Sequence, residues 1–303
     1  MLNQSRFNRS QELQETELDP AFRACPFCAS GDLRAIGPLQ EKPLIIIRQC
    51  RKCFAGFIDR QPNDAFLGEY YRNYYGGRAR GTTMRAQQLA AHILKLAGKL
   101  PQKKQFRILD FGGGDGGVAK LIALHLLEKK RAEEIHITIV DPNASATPAE
   151  KNISVELFHE LGALPAAAGY DLVLASAVLE HVKEPRKILL SLFQKMAANG
   201  LFYARTPYAY PLYRLGKIFG LRYDLQYPGH LFDMGNLFWR DVLKNLQLVS
   251  THELQRSKTS LVETRFGKRF FQTLFAHLLK APSRIFGNAY HLVGGWEVII
   301  KRK

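Results

Sequence analysis

Residues 108–117 read ILDFGGGDGG. An apolar run ends in an aspartate, and five of the last six residues are glycine. Glycine loses more chain entropy on folding than any other residue, so this density marks a backbone that must approach something closely. A Walker phosphate loop closes on Gly-Lys-Ser/Thr. This loop closes on Gly116-Gly117-Val118, which excludes that reading. Gly112-x-Gly114-x-x-Gly117 matches a dinucleotide fingerprint formally. A pyrophosphate would then rest on the first turn of the next helix. Asp115 stands at that point and Asp110 ends the strand. Two carboxylates repel a diphosphate and suit a ligand that carries positive charge.

The flanking sequence alternates strands with helices. Strands are expected at 107–111, 135–140, 153–158, 170–175 and 200–205, and helices at 115–130 and 183–198. Late strands are expected at 246–254 and 295–301. A βαβ order of this kind gives a parallel, doubly wound α/β sheet. Such sheets bind ligands beyond the carboxyl ends of their strands. S-adenosylmethionine (SAM) has the required charge, with a sulfonium, an ammonium and no phosphate. Gly112, Gly114 and Gly116 let the backbone close on its methionyl portion. The strand ITIVD ends at Asp141, whose carboxylate can accept both ribose hydroxyls. An acid here also serves NAD, so Asp141 marks a ribose without choosing the cofactor. Its plainer role is that of a turn residue in DPNAS.

The segments ILDFGGGDG, ITIVDPNAS and YDLVLASAVLEHVKEPRKIL resemble motifs I, II and IV of class I SAM-dependent methyltransferases. The VLEHV segment is close to the form found in small-molecule and lipid methyltransferases of the ubiquinone-biosynthesis type. Upstream, C-x-x-C … C-x-x-C and then QPNDAFLGEYYRNYYGG is similar to bacterial methyltransferases with an N-terminal zinc-binding domain, sugar C-methyltransferases among them. The resemblance implies a Rossmann-like seven-stranded sheet of order 3-2-1-4-5-7-6 with strand 7 antiparallel, and GGWEVIIKR (294–302) fits that last strand. It adds Ser176, at the end of the fourth strand, to the cofactor-binding set. Tyr75 and Arg80, in the Gly-flanked segment before the domain, join it as residues that close over the cofactor or acceptor. Gly113 departs from the family, where cysteine or another small residue is common.

Methyl transfer from a sulfonium is an in-line displacement from an already activated donor, so the protein mainly aligns the reactants. A base is needed where the acceptor is a hydroxyl or a carbon acid. His181, in LEHV, follows the fourth strand. His230, in YPGHLF, follows the fifth, where the resembling family has a Gly/Glu-His-Leu segment facing the substrate. Both are candidate catalytic bases, and Glu180 is a candidate to orient either. The plainer readings are a capping or core histidine and a solvated acid at a helix start. The aromatic, loop-rich segment 206–239 is expected to form a lid.

All four cysteines lie in one segment: Cys25 and Cys28 in CPFC, Cys50 and Cys53 in CRKC, with 21 residues between the knuckles. Two such knuckles complete a tetrahedral all-thiolate site suited to Zn²⁺. Four cysteines close the site to water and substrate, so the expected zinc is structural.

With 303 residues, the chain has room for one large α/β domain and a small accessory one. The expected layout is a flexible tail (1–20), a zinc ribbon (21–60), a helical cofactor-closing segment (61–104) and the SAM-binding domain (105–303). No apolar run approaches the roughly 18–20 residues that span a bilayer, and the first twenty residues contain no signal-peptide core. A cytoplasmic address is expected. Net charge is +16, and from residue 256 onward ten Lys/Arg face only Glu263 and Glu297. The basic amphipathic stretch 265–286 suits either docking on the sheet or lying on the anionic inner face of a membrane.

The expected activity is therefore methyl transfer to a hydroxyl or carbon of a small-molecule, sugar or lipid-linked precursor of the cell envelope or quinone type. The alternative is an RNA methyltransferase that grips nucleic acid through its ribbon and basic tail. Two branches of that alternative are disfavoured. Amino-methylating enzymes carry Asn/Asp-Pro-Pro-Tyr/Phe after the fourth strand, where this chain has Ala175-Ser176-Ala177-Val178. Cytosine C5 methylation needs a cysteine, and all four are committed to the ribbon.

Overall fold

A computed structural model describes residues 12–75, 85–144, 150–165, 169–220, 225–262 and 270–303. The chain first forms an antiparallel ribbon of β1 (Leu33–Glu41), β2 (Leu44–Cys50) and β3 (Gly56–Ile58), followed by α1 (Asp64–Tyr75) and α2 (Ala86–Ala97). The alternating part then runs β4 (Lys103–Phe111), α3 (Gly117–Glu128), β5 (Ala132–Val140), β6 (Ile153–Phe158), β7 (Tyr170–Ser176), α4 (Pro185–Gln194) and β8 (Met196–Tyr208). It closes with α5 (Tyr210–Ile218), β9 (Phe232–Asp233), α6 (Asn236–Asn245), β10 (His252–Thr259), α7 (Phe270–Lys280), α8 (Ser283–Phe286) and β11 (Gly294–Arg302).

The main sheet has seven strands in the order β10-β11-β8-β7-β4-β5-β6. Strands β6, β5, β4, β7 and β8 are parallel, and β11 runs antiparallel to both of its neighbours. This is the expected 3-2-1-4-5-7-6 arrangement. Its central strands are apolar on both faces because both faces are covered. On one face, Leu89 and Ile93 of α2 pack with Ala119 and Ile122 of α3 against Ile137 and Ile139. On the other, α4 and α6 share a core with the ribbon, where Phe27 meets Phe238 with ring centroids 4.8 Å apart.

Four expectations change. The helix expected over 183–198 stops at Gln194, and β8 already starts at Met196. The β7–β8 pairing shifts register there, from Tyr170 opposite Met196 to Leu172 opposite Leu201, and Gly200 is the last residue of the extra stretch. A Cβ on Gly200 would lie 2.7 Å from the Tyr170 carbonyl oxygen. The strand expected at 246–254 is β10, displaced to 252–259, because Leu246 and Leu248 are used to close the end of α6. The tail expected over 1–20 is packed where the structure describes it, from Glu12 onward. Leu13 is fully buried, and the Gln40 side chain bonds both its N–H and its carbonyl.

The fourth change concerns 206–239. The segment expected as a lid is tied into the fold where it is described, since Thr206–Tyr208 belong to β8 and β9 pairs with β3 as the fourth strand of the ribbon sheet. The Asp233 carboxylate accepts from the Ala209 and Tyr210 N–H groups at 2.7 and 2.8 Å, and Tyr213 donates to the Pro38 carbonyl at 2.7 Å. Tyr210 lies flush on Gly56, where an added Cβ would come within 2.3 Å of its ring. Gly56→Ala is therefore expected to destabilise the protein by about 1–3 kcal/mol through overpacking. A thermal melt unchanged by that substitution would refute the close seat of Tyr210.

Candidate functional site

The sheet reverses its direction of growth between β4 and β7, so a crevice opens beyond their carboxyl ends. The glycine loop sits there. Gly112, Gly114 and Gly116 have φ of 72°, 56° and 69°, a region that glycine enters without strain. The departure at Gly113 has a local cause, because a Cβ there would stand 2.5 Å from the Asp110 carboxyl carbon. Asp115 is partly spoken for, as its Oδ1 accepts from the Gly117 N–H at 3.0 Å, two residues on, in the turn that leads into α3.

The structure brings Asp110, the three glycines, Asp141 and Ser176 to this one crevice. Asp110 is buried, and its carboxyl is pushed up to about 7, by burial first and then by the charges of Asp141 and Asp115. Asp141 follows β5 and ties the loop down, accepting from Gly114 N–H at 3.0 Å and Asn143 N–H at 2.8 Å. The Ser176 hydroxyl, at the end of β7, is buried without a hydrogen-bond partner among the described residues. A buried hydroxyl without a partner is costly, which makes it a ready contact for a ligand. Asp171, at the start of β7, binds the Lys103 ammonium and the Arg107 N–H and is structural. Arg80 lies outside the described residues, as do the side chains of Tyr74 and Tyr75.

A second cluster lies past β7. His181 ends a short 3₁₀ turn (Leu179–His181), and His230 precedes β9, with ring centroids 4.8 Å apart. Leu231 N–H donates to the Glu180 carbonyl at 2.7 Å and locks the two segments together. His181 Nδ1 lies 2.7 Å from the Gly229 carbonyl oxygen. A carbonyl only accepts, so Nδ1 carries the proton and Nε2 keeps its lone pair. Burial lowers the His181 pKa, and burial with His181 beside it pushes His230 down to about 3. Both rings are therefore neutral near pH 7. Burial pushes Glu180 up to about 7, against the opposing pull of its backbone hydrogen bond and the charge of Arg205.

The sequence missed Tyr71, whose hydroxyl lies 3.3 Å from His181 Nδ1 and 3.4 Å from the Gly229 oxygen. Helical spacing held the signal. Leu67 is the buried anchor of α1, and Tyr71, four residues on, shares its face.

In the ribbon, the four cysteine sulfurs lie within 4.8 Å of one another. Cys25 and Cys53 are 3.6 Å apart, and Cys28 and Cys50 are 3.5 Å apart. A hydrogen bond from Cys53 draws the Cys25 thiol down to about 6, while burial pushes Cys28 up to about 11. The arrangement is consistent with a zinc ribbon.

Among solved structures, the plantazolicin methyltransferase BpumL in complex with SAH is 15% identical, covering 80% of this chain and 91% of its own, with a TM-score of 0.44. Loganic acid methyltransferase with SAH is 11% identical, covering 72% and 93%, with a TM-score of 0.43. Coclaurine N-methyltransferase bound to N-methylheliamine and SAH is 13% identical, covering 71% and 70%, with a TM-score of 0.41. No curated protein matches the chain. The family model described as a methyltransferase domain matches residues 82–256, more than half of the 303 residues. With its loop, acids and strand order in place, the chain belongs to this methyltransferase-domain family and is a class I SAM-dependent methyltransferase.

Proposed function

We propose that this methyltransferase acts on a hydroxyl or carbon of a lipid-linked precursor presented at an anionic membrane surface. In this reading Gly112, Gly114 and Gly116 seat the methionyl part of SAM and Asp110 faces its positive charge. Asp141 takes the ribose hydroxyls, Ser176 supplies a further hydrogen bond, and Tyr75 and Arg80 close over the cofactor. The acceptor enters beside His181 and His230, whose free ring nitrogens can take its proton as the methyl carbon is attacked in line with the departing sulfur. Tyr71 and the Gly229 carbonyl hold His181 in its tautomer. The four cysteines hold a structural Zn²⁺. A tetrahedral site with bonds of about 2.3 Å needs sulfurs about 3.8 Å apart, close to the separations seen here.

The observation that carries the lipid reading is an uncovered apolar face. On α7 and α8, Phe271 is 83% exposed, Phe275 65% and Ile285 82%, with Leu278 and Phe286 also exposed. Ile218 and Phe219, at the end of α5, are exposed as well. These elements follow β8 or precede the antiparallel β11, which places them at the end of the sheet where the crevice opens. Lys217, Lys280 and Arg284 lie among them, so the face combines apolar side chains with positive charge. Among the described residues no helix is long and apolar enough to cross a membrane.

The protein is expected to float with vesicles containing anionic phospholipid and to stay behind with neutral ones. Joint substitution of Phe271, Phe275 and Ile285 by serine should weaken partitioning at least about a hundredfold. With labelled SAM and cell extract, label should enter the lipid fraction. Failure to float, with label entering RNA, would replace this reading by the nucleic-acid one.

A further inference from the structure

The cluster of Glu180, His181 and His230 has a composition that proton transfer alone does not require. A carboxylate oxygen of Glu180 and one ring nitrogen from each histidine all lie within 4.8 Å of one another. Two independent features point to a ligand between them. Glu180 is 2% exposed, and its Oε2 is buried with no hydrogen-bond partner among the described residues. The His181 Nδ1–H is spent on the Gly229 carbonyl at 2.7 Å, with the Tyr71 hydroxyl beside it. A histidine that donates one N–H to a backbone carbonyl has the outer-shell support typical of metal-bound imidazole.

We propose that Glu180, His181 and His230 form a binding site for a divalent transition cation of the Zn²⁺ class, distinct from the four-cysteine site. Two imidazoles and one carboxylate suit Zn²⁺, Co²⁺ or Fe²⁺ better than Mg²⁺, which prefers oxygen ligands. Three protein ligands leave a coordination position open, as in catalytic rather than structural sites. The three side chains come from the turn after β7 and the segment before β9, beside the crevice. The open position therefore faces the acceptor. This part rests on the methyltransferase reading above and sharpens it, because a cation there selects an acceptor oxygen over a carbon and takes over, from the ring nitrogens it engages, the task of readying that oxygen for attack. Coordination also lowers the pH at which a hydroxyl gives up its proton.

The test uses the full chain with zinc retained in its cysteine site. Co²⁺ is titrated in while visible absorption is recorded, and SAM binding is measured by calorimetry on the same samples. Weak d–d bands of a nitrogen- and oxygen-ligated cobalt are expected, with affinity lowered at least about a hundredfold in both His230→Gln and Glu180→Gln. Elemental analysis after Zn²⁺ loading should find about one zinc fewer per chain in each variant than in the wild type. SAM affinity should not follow the cobalt bands. Absence of the bands at millimolar Co²⁺, or bands unchanged in both variants, would overturn the cation site and leave the methyltransferase standing. Bands that persist in a chain unable to bind SAM would support the cation site and remove the cofactor reading instead.

Discussion

Replacing Cys50 and Cys53 together by serine is expected to abolish methyl transfer while changing SAM affinity by less than about threefold. Structural zinc contributes on the order of 10–16 kcal/mol of folding free energy to small zinc-finger sites, so on the zinc reading proposed above loss of two ligands should release the ion and unfold the ribbon. The consequence for the histidine cluster depends on connectivity. Cys50 ends β2, which pairs with β3, and β3 pairs with β9. Ile58 N–H donates to the Leu231 carbonyl at 3.1 Å, and Leu231 N–H donates to the Glu180 carbonyl at 2.7 Å. A ribbon that melts therefore withdraws the support of His230 and of the turn that carries His181. The glycine loop opens α3, which packs with α2 and β5 in a separate core, while Phe111 and Val140, beside the loop and Asp141, reach the core shared with the ribbon. Calorimetry with SAM and turnover with acceptor, on the same preparation, separate these outcomes. Full turnover after zinc loss would refute the coupling. Loss of SAM binding together with turnover would show that the ribbon holds up the whole domain.

That coupling was not legible in the sequence, and the reason is physical. The order of the main sheet follows from local signals, because β4 to β8 are short apolar runs bounded by turns and each runs parallel to its neighbour. Asp110, Asp141 and Ser176 could be placed for the same reason, since each ends or follows a strand. β9 is two residues long, Phe232–Asp233, and no periodicity marks a strand of that length. Its place in the ribbon is fixed by Asp233, which binds the N–H groups that open α5, and by Tyr210 lying against Gly56. These are contacts across more than 20 residues of chain, which aromatic composition alone reads as a loop over a cleft. Tyr71 illustrates a smaller version of the problem. The run EYYRNYY offers four tyrosines, and among the described side chains the helical register set by Leu67 puts Tyr71 where it reaches His181. Burial hid the rest. Nothing local distinguishes Glu180, sealed at 2% exposure, from the solvated helix-start acid it resembles in sequence.

SAM affinity is expected to rise with pH below neutrality, through Asp110. In the unliganded protein its carboxyl is pushed up to about 7, by burial above all and then by Asp141 and Asp115. The bound cation favours the carboxylate, so below pH 7 each SAM that binds must expel a proton. Between pH 7.5 and 5.5 the affinity should fall roughly twentyfold and then level off above pH 7.5. The sign of the stability effect is opposite. Between about pH 4 and 7 the folded chain keeps a proton here that the unfolded chain releases, so the unliganded protein loses stability as pH rises through that window, and SAM restores it. Asp110→Asn should flatten the affinity profile at a weak value. Asp141→Ala should weaken binding by about 3 kcal/mol, roughly a hundredfold, for two lost charge-assisted hydrogen bonds, and should move the profile's midpoint to lower pH, because the Asp141 charge that helps raise Asp110 is gone. Proton release can be read directly by calorimetry in buffers of different ionisation enthalpy. A pH profile unchanged in Asp110→Asn would move the titrating group elsewhere. An Asp141→Ala variant that binds as tightly as the wild type would take the ribose from Asp141 and leave it only the Gly114 and Asn143 N–H groups that it already holds.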